Sequence, residues 1–205
     1  KSVTINGKVG ATTISSLKVD AFIIGFNHNS GKEGSNRIHF LLGKISGKFV
    51  GLVDSSYSST TSTSGAFTMN TSNTNSGGWE SSQMRSKVLG SASSPTSPTA
   101  NTLMAALPSD LRAVMKSCTK YTDNKGGSNT ASNVSSTTDY LFLLSEYEVF
   151  ATHQYCNDAE PNYQAQYDYF KAGNSKVANK HSATGAAAVW WLRSPNYNYI
   201  NNGFC

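Results

Sequence analysis

The chain has 205 residues, the size of one ordinary domain and long enough to bury a core. Only 14% of residues are charged, against about 25% in a typical soluble domain, and 50 Ser and Thr with 19 Asn supply the missing polarity. This composition excludes a coiled coil, a collagen and a charge-rich disordered tail, and no apolar stretch approaches the roughly 20 residues of a membrane helix. The net charge of +5 is scattered, with Lys116 and Lys120 read as part of a solvated basic surface, so nucleic acid, which needs a concentrated basic stripe, is not an expected partner.

In chain order, Ser2–Val9 reads as a short strand and residues 21–26 as an apolar run of strand length. Residues 39–42 and 48–53 follow, separated by a Gly-rich reversal, which makes an antiparallel meander. Residues 55–65 form a Ser/Thr-rich loop with Tyr57 as its one large side chain. Residues 80–89 read as a helix with Met84, Val88 and Leu89 on one face and Gly90 as its C-cap. Residues 102–107 and 109–115 read as two short helices, the second capped by Ser109 and burying Leu111, Val114 and Met115. Residues 123–138 read as a polar loop and 139–144 as the clearest core strand of the second half. Ser145 is placed to cap a helical turn. Tyr163, Tyr167 and Phe170 stand at helical spacing, and residues 185–193 return to strand. These elements predict an α+β class: a single domain spanning 1–205, with a twisted antiparallel sheet, short helices and long polar loops.

Catalytic signatures are missing. The sequence has no nucleophile elbow, no His-Glu-x-x-His, no phosphate loop and no Cys-x-x-Cys. Cys118, Cys156 and Cys205 lack metal-ligand spacing and read as buried or free thiols, with no pairing implied. His28, His39, His153 and His181 are spread along the chain and read as polar or surface histidines. Glu146, Glu148, Asp158 and Glu160 form the densest acidic group, which helix-start anions and loop solvation explain. A hydrolase built on Glu146 or Glu148 with His153 is the enzymatic alternative. The expectation is no catalytic residue, no cofactor and no metal site.

The most unusual string is Trp190-Trp191-Leu192-Arg193-Ser194-Pro195. Adjacent tryptophans in a strand point to opposite faces, so one enters the core while the other covers a second layer. Arg193 can lock loops by donating its fork to carbonyls or a carboxylate, and Pro195 ends the pairing. Trp190, Trp191, Arg193 and Ser194 would frame a site without being the site. This string, with Phe142-Leu143-Leu144-Ser145-Glu146, residues 21–29 and residues 77–85, resembles the hallmark of a bacterial and prophage surface-domain family long catalogued without a known function. The family is similar to the C-type-lectin-like fold of formylglycine-generating-enzyme-like domains and of variable proteins of diversity-generating retroelements. The resemblance implies a ligand-binding scaffold on a phage tail, virion or bacterial cell surface rather than a catalyst. Because members of the family continue past the position of Cys205, it also implies either a truncated chain or a genuinely short member. The chain opens at Lys1 without a charged-then-apolar leader, so a signal peptide is expected to be absent or already removed.

After the string come Asn196, Tyr197, Asn198, Tyr199, Ile200, Asn201 and Asn202. Each residue from Asn196 to Phe204 can be reached from an Asn codon by changing adenines alone, the trace that adenine-directed diversification leaves. Tyr supplies rigid amphipathic area and Asn adaptable hydrogen bonds, so residues 196–202 are the expected ligand-binding patch. The expected partners are a host-surface glycan or protein and other subunits of the assembly, a second copy of the chain among them.

Overall fold

The computed structural model describes residues 1–45, 47–52, 65–182 and 185–198. The first sheet is an antiparallel meander of β1 (Ser2–Val9), β2 (Thr12–Phe26), β3 (Ile38–Ile45) and β4 (Lys48–Phe49), paired in chain order. The β1–β2 hairpin closes at Val9↔Thr12 through Gly10, whose φ of +57° suits a residue without Cβ. β2 begins at Thr12 rather than Ala21, because its first half is largely polar and buries only Ile14 and Val19.

Two register irregularities, at Asp20/Ala21 and Ile23/Gly25, let β2 serve two cores on opposite faces. Val3, Ile5, Val9, Val19 and Ala21 face the first core, with Trp79, Met84, Val88, Leu103 and Leu107. Ile24 enters the second, with Leu144, Val149, Tyr167, Phe170 and Leu192.

The middle of the chain supplies α1 (Ser30–Glu33), α2 (Gly78–Ser81), a π-helical segment Met84–Leu89, α3 (Leu103–Ala106) and α4 (Ser109–Arg112). Met84, Val88 and Leu89 are buried and Gly90 closes the segment at φ 66°, as the spacing predicts. Pro108, not Ser109, precedes α4, which buries none of its residues. Val114 is 73% exposed, so the expected stripe reduces to Leu111 and Met115 resting on the first core.

A second sheet pairs β5 (Cys118–Asp123) with β6 (Val134–Asp139), and all of β6 but its last residue falls in the loop expected over 123–138. Thr137 and Asp139 are buried between exposed Ser135, Ser136 and Thr138, an alternation that polar identity hides. Residues 140–144 are not a strand. They pass between the cores, and side-chain packing of Leu141, Phe142 and Leu143 takes the place of a ladder. The chain then forms α5 (Glu146–Phe150), a 3₁₀ turn Glu160–Asn162, α6 (Asp168–Lys171), and the short pair β7 (Ala178–Asn179) and β8 (Ala187–Ala188). Tyr167 and Phe170 are buried, while the strand expected over 185–193 is only β8. Antiparallel sheets mixed with short helices make the class α+β.

The 77–85 string docks on β6. Trp79 Nε1 donates to Asp139 Oδ2 at 3.0 Å and Arg85 Nε donates to Asp139 Oδ1 at 2.9 Å. Gly78, at φ +55°, lies so close to β5 that a Cβ would stand 2.1 Å from the Asp123 carbonyl oxygen. Gly78→Ala should therefore cost more than about 1 kcal/mol and lower the melting temperature, measured by chemical and thermal unfolding.

Candidate functional site

Ser145 opens α5 with a capping box: its hydroxyl accepts the Glu148 N–H at 3.1 Å and Glu148 Oε2 accepts the Ser145 N–H at 3.0 Å. A capping glutamate normally faces water, but Glu148 is fully buried because two cations meet it. Arg193 reaches it with both Nη atoms, Nη2 to Oε1 at 2.9 Å, while Arg193 Nε donates to Thr122 Oγ1 at 2.8 Å and Nη1 to the Leu143 carbonyl at 2.8 Å. Lys120, also fully buried, donates to Glu33 Oε2 at 2.7 Å, Glu148 Oε1 at 2.9 Å and the Tyr167 hydroxyl at 2.9 Å. All three ammonium protons are placed. Two carboxylates and two cations, joined by the Tyr167 hydroxyl, thus form an electroneutral knot drawn from five segments. Burial works against the Glu148 carboxylate, but Arg193 and Lys120 outweigh it and hold the group well below the usual carboxylate range. Burial pushes Glu33 up, against the pull of Lys120.

A shell of softer groups surrounds the knot. The Tyr167 hydroxyl lies 2.7 Å from His39 Nδ1, and since Lys120 takes its oxygen lone pair, the network assigns the proton to Tyr167 as donor. His28 stacks on the Tyr167 ring at 3.6 Å and its Nε2 stands 3.7 Å from Glu33 Oε1. Cys118 Sγ donates to Glu33 Oε2 at 3.4 Å. Of the two readings, polar or surface, His28 and His39 take the first, as interior groups. Burial first, then Lys120, lowers them to about 4 and about 3, so both imidazoles are neutral at pH 7.

Two sets here have metal-ligating chemistry, Glu33 with His39 and Cys118, and His28 with Glu33 and Glu148. Their shared carboxylate already carries the Lys120 ammonium at 2.7 Å. Burial also pushes the Cys118 thiol up to about 12, so it stays protonated rather than a thiolate ligand. The built-in cation of this cluster is Lys120.

The acidic group expected at the surface is mostly interior. Glu146 accepts N–H bonds from Gln154, Tyr155 and Cys156 at 2.9, 3.1 and 2.9 Å, which ties the loop after α5 back to its start. Glu160 Oε1 accepts the Asp123 N–H at 2.9 Å, and Oε2 accepts Ser194 Oγ at 2.7 Å and Gln164 Nε2 at 3.1 Å. Burial pushes the Glu160 carboxyl up to about 7 despite these donors. Asp158 alone remains at the surface, 3.3 Å from His153. Of the residues named in the hydrolase alternative, Glu148 is held by Arg193 and Lys120, Glu146 by three backbone N–H groups, and His153 pairs with Asp158.

Trp190 and Trp191 lie beyond β8 and carry no ladder, yet they divide between the two cores. Trp190 packs on the second, edge-on to Phe49 at 5.0 Å, and Trp191 on the first. Both line a cavity of about 700 Å³ with Phe40, Leu42, Leu52 and Leu141. Arg193 and Ser194 are wholly buried in the knot and its Glu160 extension. Asn196 and Tyr197 are half-buried and Asn198 is exposed. The Asn196 carbonyl accepts Asn75 Nδ2 at 2.7 Å, the Tyr197 N–H donates to the Tyr155 carbonyl at 3.0 Å, and the Asn198 N–H donates to Asn196 Oδ1 at 2.9 Å. Tyr199, Ile200, Asn201, Asn202 and Cys205 lie outside the described residues. Sequence reasoning missed Glu33, Lys120, Tyr167, His28, His39 and Cys118 as one cluster. The one local signal was the inward parity of Cys118, Lys120 and Thr122 along β5.

The sheets, short helices and interior ion network define an α+β protein organised around buried charge. Residues 59–205, more than half of the chain, match the family described as Domain of unknown function (DUF6273), and the chain belongs to that family. No curated protein and no solved structure matches it.

Removing one partner of a buried ion pair strands the other, so Arg193→Met should cost about 3–5 kcal/mol in denaturant unfolding, with Arg193→Lys recovering part. The histidines add an acid dependence. The unfolded chain binds protons below its histidine pKa of about 6.5 that the folded state refuses until about 4 and about 3, so stability is full above that value and falls as pH drops through the window. Glu160, raised to about 7, has the opposite sign and offsets part of the loss. Between about pH 7 and 5 each histidine contributes on the order of 2 kcal/mol, so His28→Gln/His39→Gln should flatten the pH profile of unfolding free energy.

Proposed function

We propose that this protein is a non-catalytic binding module of C-type-lectin-like type, displayed on a phage tail, virion or bacterial surface. Its ligand is a host-surface glycan or protein, met by Asn196, Tyr197, Asn198, Tyr199, Ile200, Asn201 and Asn202. The observation that carries this reading is how abruptly the chain passes from interior to surface. Arg193 and Ser194 are wholly buried and hydrogen-bonded, and Asn198, four residues beyond Ser194, is exposed. Between them the backbone is pinned on both sides, by Asn75 and by Tyr155. A rigid root under an Asn/Tyr segment is what a display surface needs, because side chains there can differ without disturbing the core. The cavity beside Trp190 and Trp191 is lined mostly by apolar side chains, so the tryptophans support the framework and the polar ligand is assigned to the segment beyond.

A second reading, a structural or decoration domain of a surface assembly, draws on exposed apolar side chains of the first sheet. The two part on a binding experiment with the labelled chain, using a panel of immobilised glycans and intact bacterial cells. Tyr197→Ala/Asn198→Ala should abolish binding while shifting the melting temperature by less than about 2 °C. Unchanged binding, or loss of binding and folding together, would overturn the assignment of the site.

A further inference from the structure

The far end of the first sheet carries four large apolar side chains in water: Ile23, Phe26, Ile38 and Phe40, at 42, 62, 50 and 51% exposure. The register places them on one face. Ile23 stands opposite Phe40 and Phe26 opposite Ile38, while His39, Leu41 and Phe22 point to the other side with the second core. The bulge at Ile24 brings Phe26 back to the face of Ile23. A sheet face in water ordinarily alternates to polar residues here, and Thr or Ser at these positions would keep the strands.

We propose that this outer face of the β2–β3 pair is the homodimer interface of the protein, with a second copy packed sheet against sheet on the Ile/Phe quartet. Three features select a second copy. The quartet complements itself, since its phenylalanines occupy one diagonal and its isoleucines the other. Two copies packed face to face with their strands near alignment set the bulky diagonal of each over the slimmer diagonal of its mate, an isologous contact. The quartet also contains no charge, and this matters more for a chain of net charge +5 than for a neutral one. A self-facing patch brings every charge against its own sign. Arg37, next to Ile38, is turned away, its Nε donating to the Ser117 carbonyl at 2.6 Å and its Nη1 to the Ser35 carbonyl at 2.5 Å. The area is right for an interface centre as well. Large apolar side chains present roughly 200 Å² each, so half-exposed they offer on the order of 400 Å² together. A standard interface takes about 800 Å² per partner, which leaves the other half to a polar rim. The uncharged Asn27, Ser35 and Asn36 lie at that end of the strands.

Sedimentation equilibrium on the 205-residue chain tests this. The expected result is a dimer at micromolar concentration, converted to monomer by Phe40→Glu. Since that change could also unfold the sheet, Ile23→Thr/Ile38→Thr is the second variant. It keeps strand propensity and should weaken the dimer at least about tenfold with the circular dichroism spectrum unchanged. Tyr197→Ala should remain dimeric, which separates this interface from the proposed ligand patch. A wild-type chain still monomeric at about 100 µM, or a dimer indifferent to the threonine pair, overturns the proposal whatever else binds that face.

Discussion

The contact on which the structure depends is the Arg193 fork on Glu148, closed from the other side by Lys120. Four full charges sit out of water, and taking them there costs several kcal/mol apiece before their attraction is counted. Such a cluster is a poor source of net stability. Its value is geometric: planar forks and a three-way ammonium have one satisfied arrangement, and in it α1, β5, α5, the Tyr167 turn and the Arg193 segment are all in register. Apolar residues of similar volume would fill the same space while leaving these five segments freer to slide past one another.

The other constraint is the length of β2. One strand of 15 residues crosses both cores, and because side chains alternate it can serve them only by offering opposite faces in its two halves. The bulges at Asp20/Ala21 and Ile23/Gly25 make the change of duty possible. They also determine what stays uncovered. Where β2 turns its inner face to Tyr167 and Phe170, no described element of the chain covers the back of the sheet, and the Ile/Phe quartet is left there. The apolar face is thus a consequence of the same geometry that buries the ion knot.

How far the sequence anticipates this follows from the range of each interaction. The Ser145–Glu148 capping box and the Gly90 cap are legible, because both partners lie within one turn of helix. The meander is legible from its apolar runs. β6 is not, since Ser and Thr stand on its inner and outer sides alike and no hydrophobic contrast marks the alternation. Residues 140–144 mislead in the opposite sense: an apolar run records burial on all sides, which a segment threaded between two cores satisfies without a ladder. Lys120 is the least legible of all. A lysine is tolerated inside only with partners, and those of Lys120 stand 87, 28 and 47 residues away in sequence. His28 and His39 look dispersed for the same reason, and it is the fold that stacks His28 on the Tyr167 ring and bonds His39 to its hydroxyl.

The placement of the knot bears on the proposed display surface. Arg193 is the last charged side chain of the sequence, and Pro195 follows it by two residues. Four oriented bonds fix the direction of the chain there: the Arg193 fork, Ser194 on Glu160, Asn75 on the Asn196 carbonyl, and the Tyr197 N–H on Tyr155. Two of these use side chains upstream of the patch, and the other two use backbone atoms of Asn196 and Tyr197, which no substitution except proline removes. The identities of side chains 197 and 198 are therefore uncoupled from the bonds that position them. A surface whose root is held by backbone and by buried charge can exchange its exposed residues while the knot keeps the scaffold in register. An apolar root would have to repack with each change.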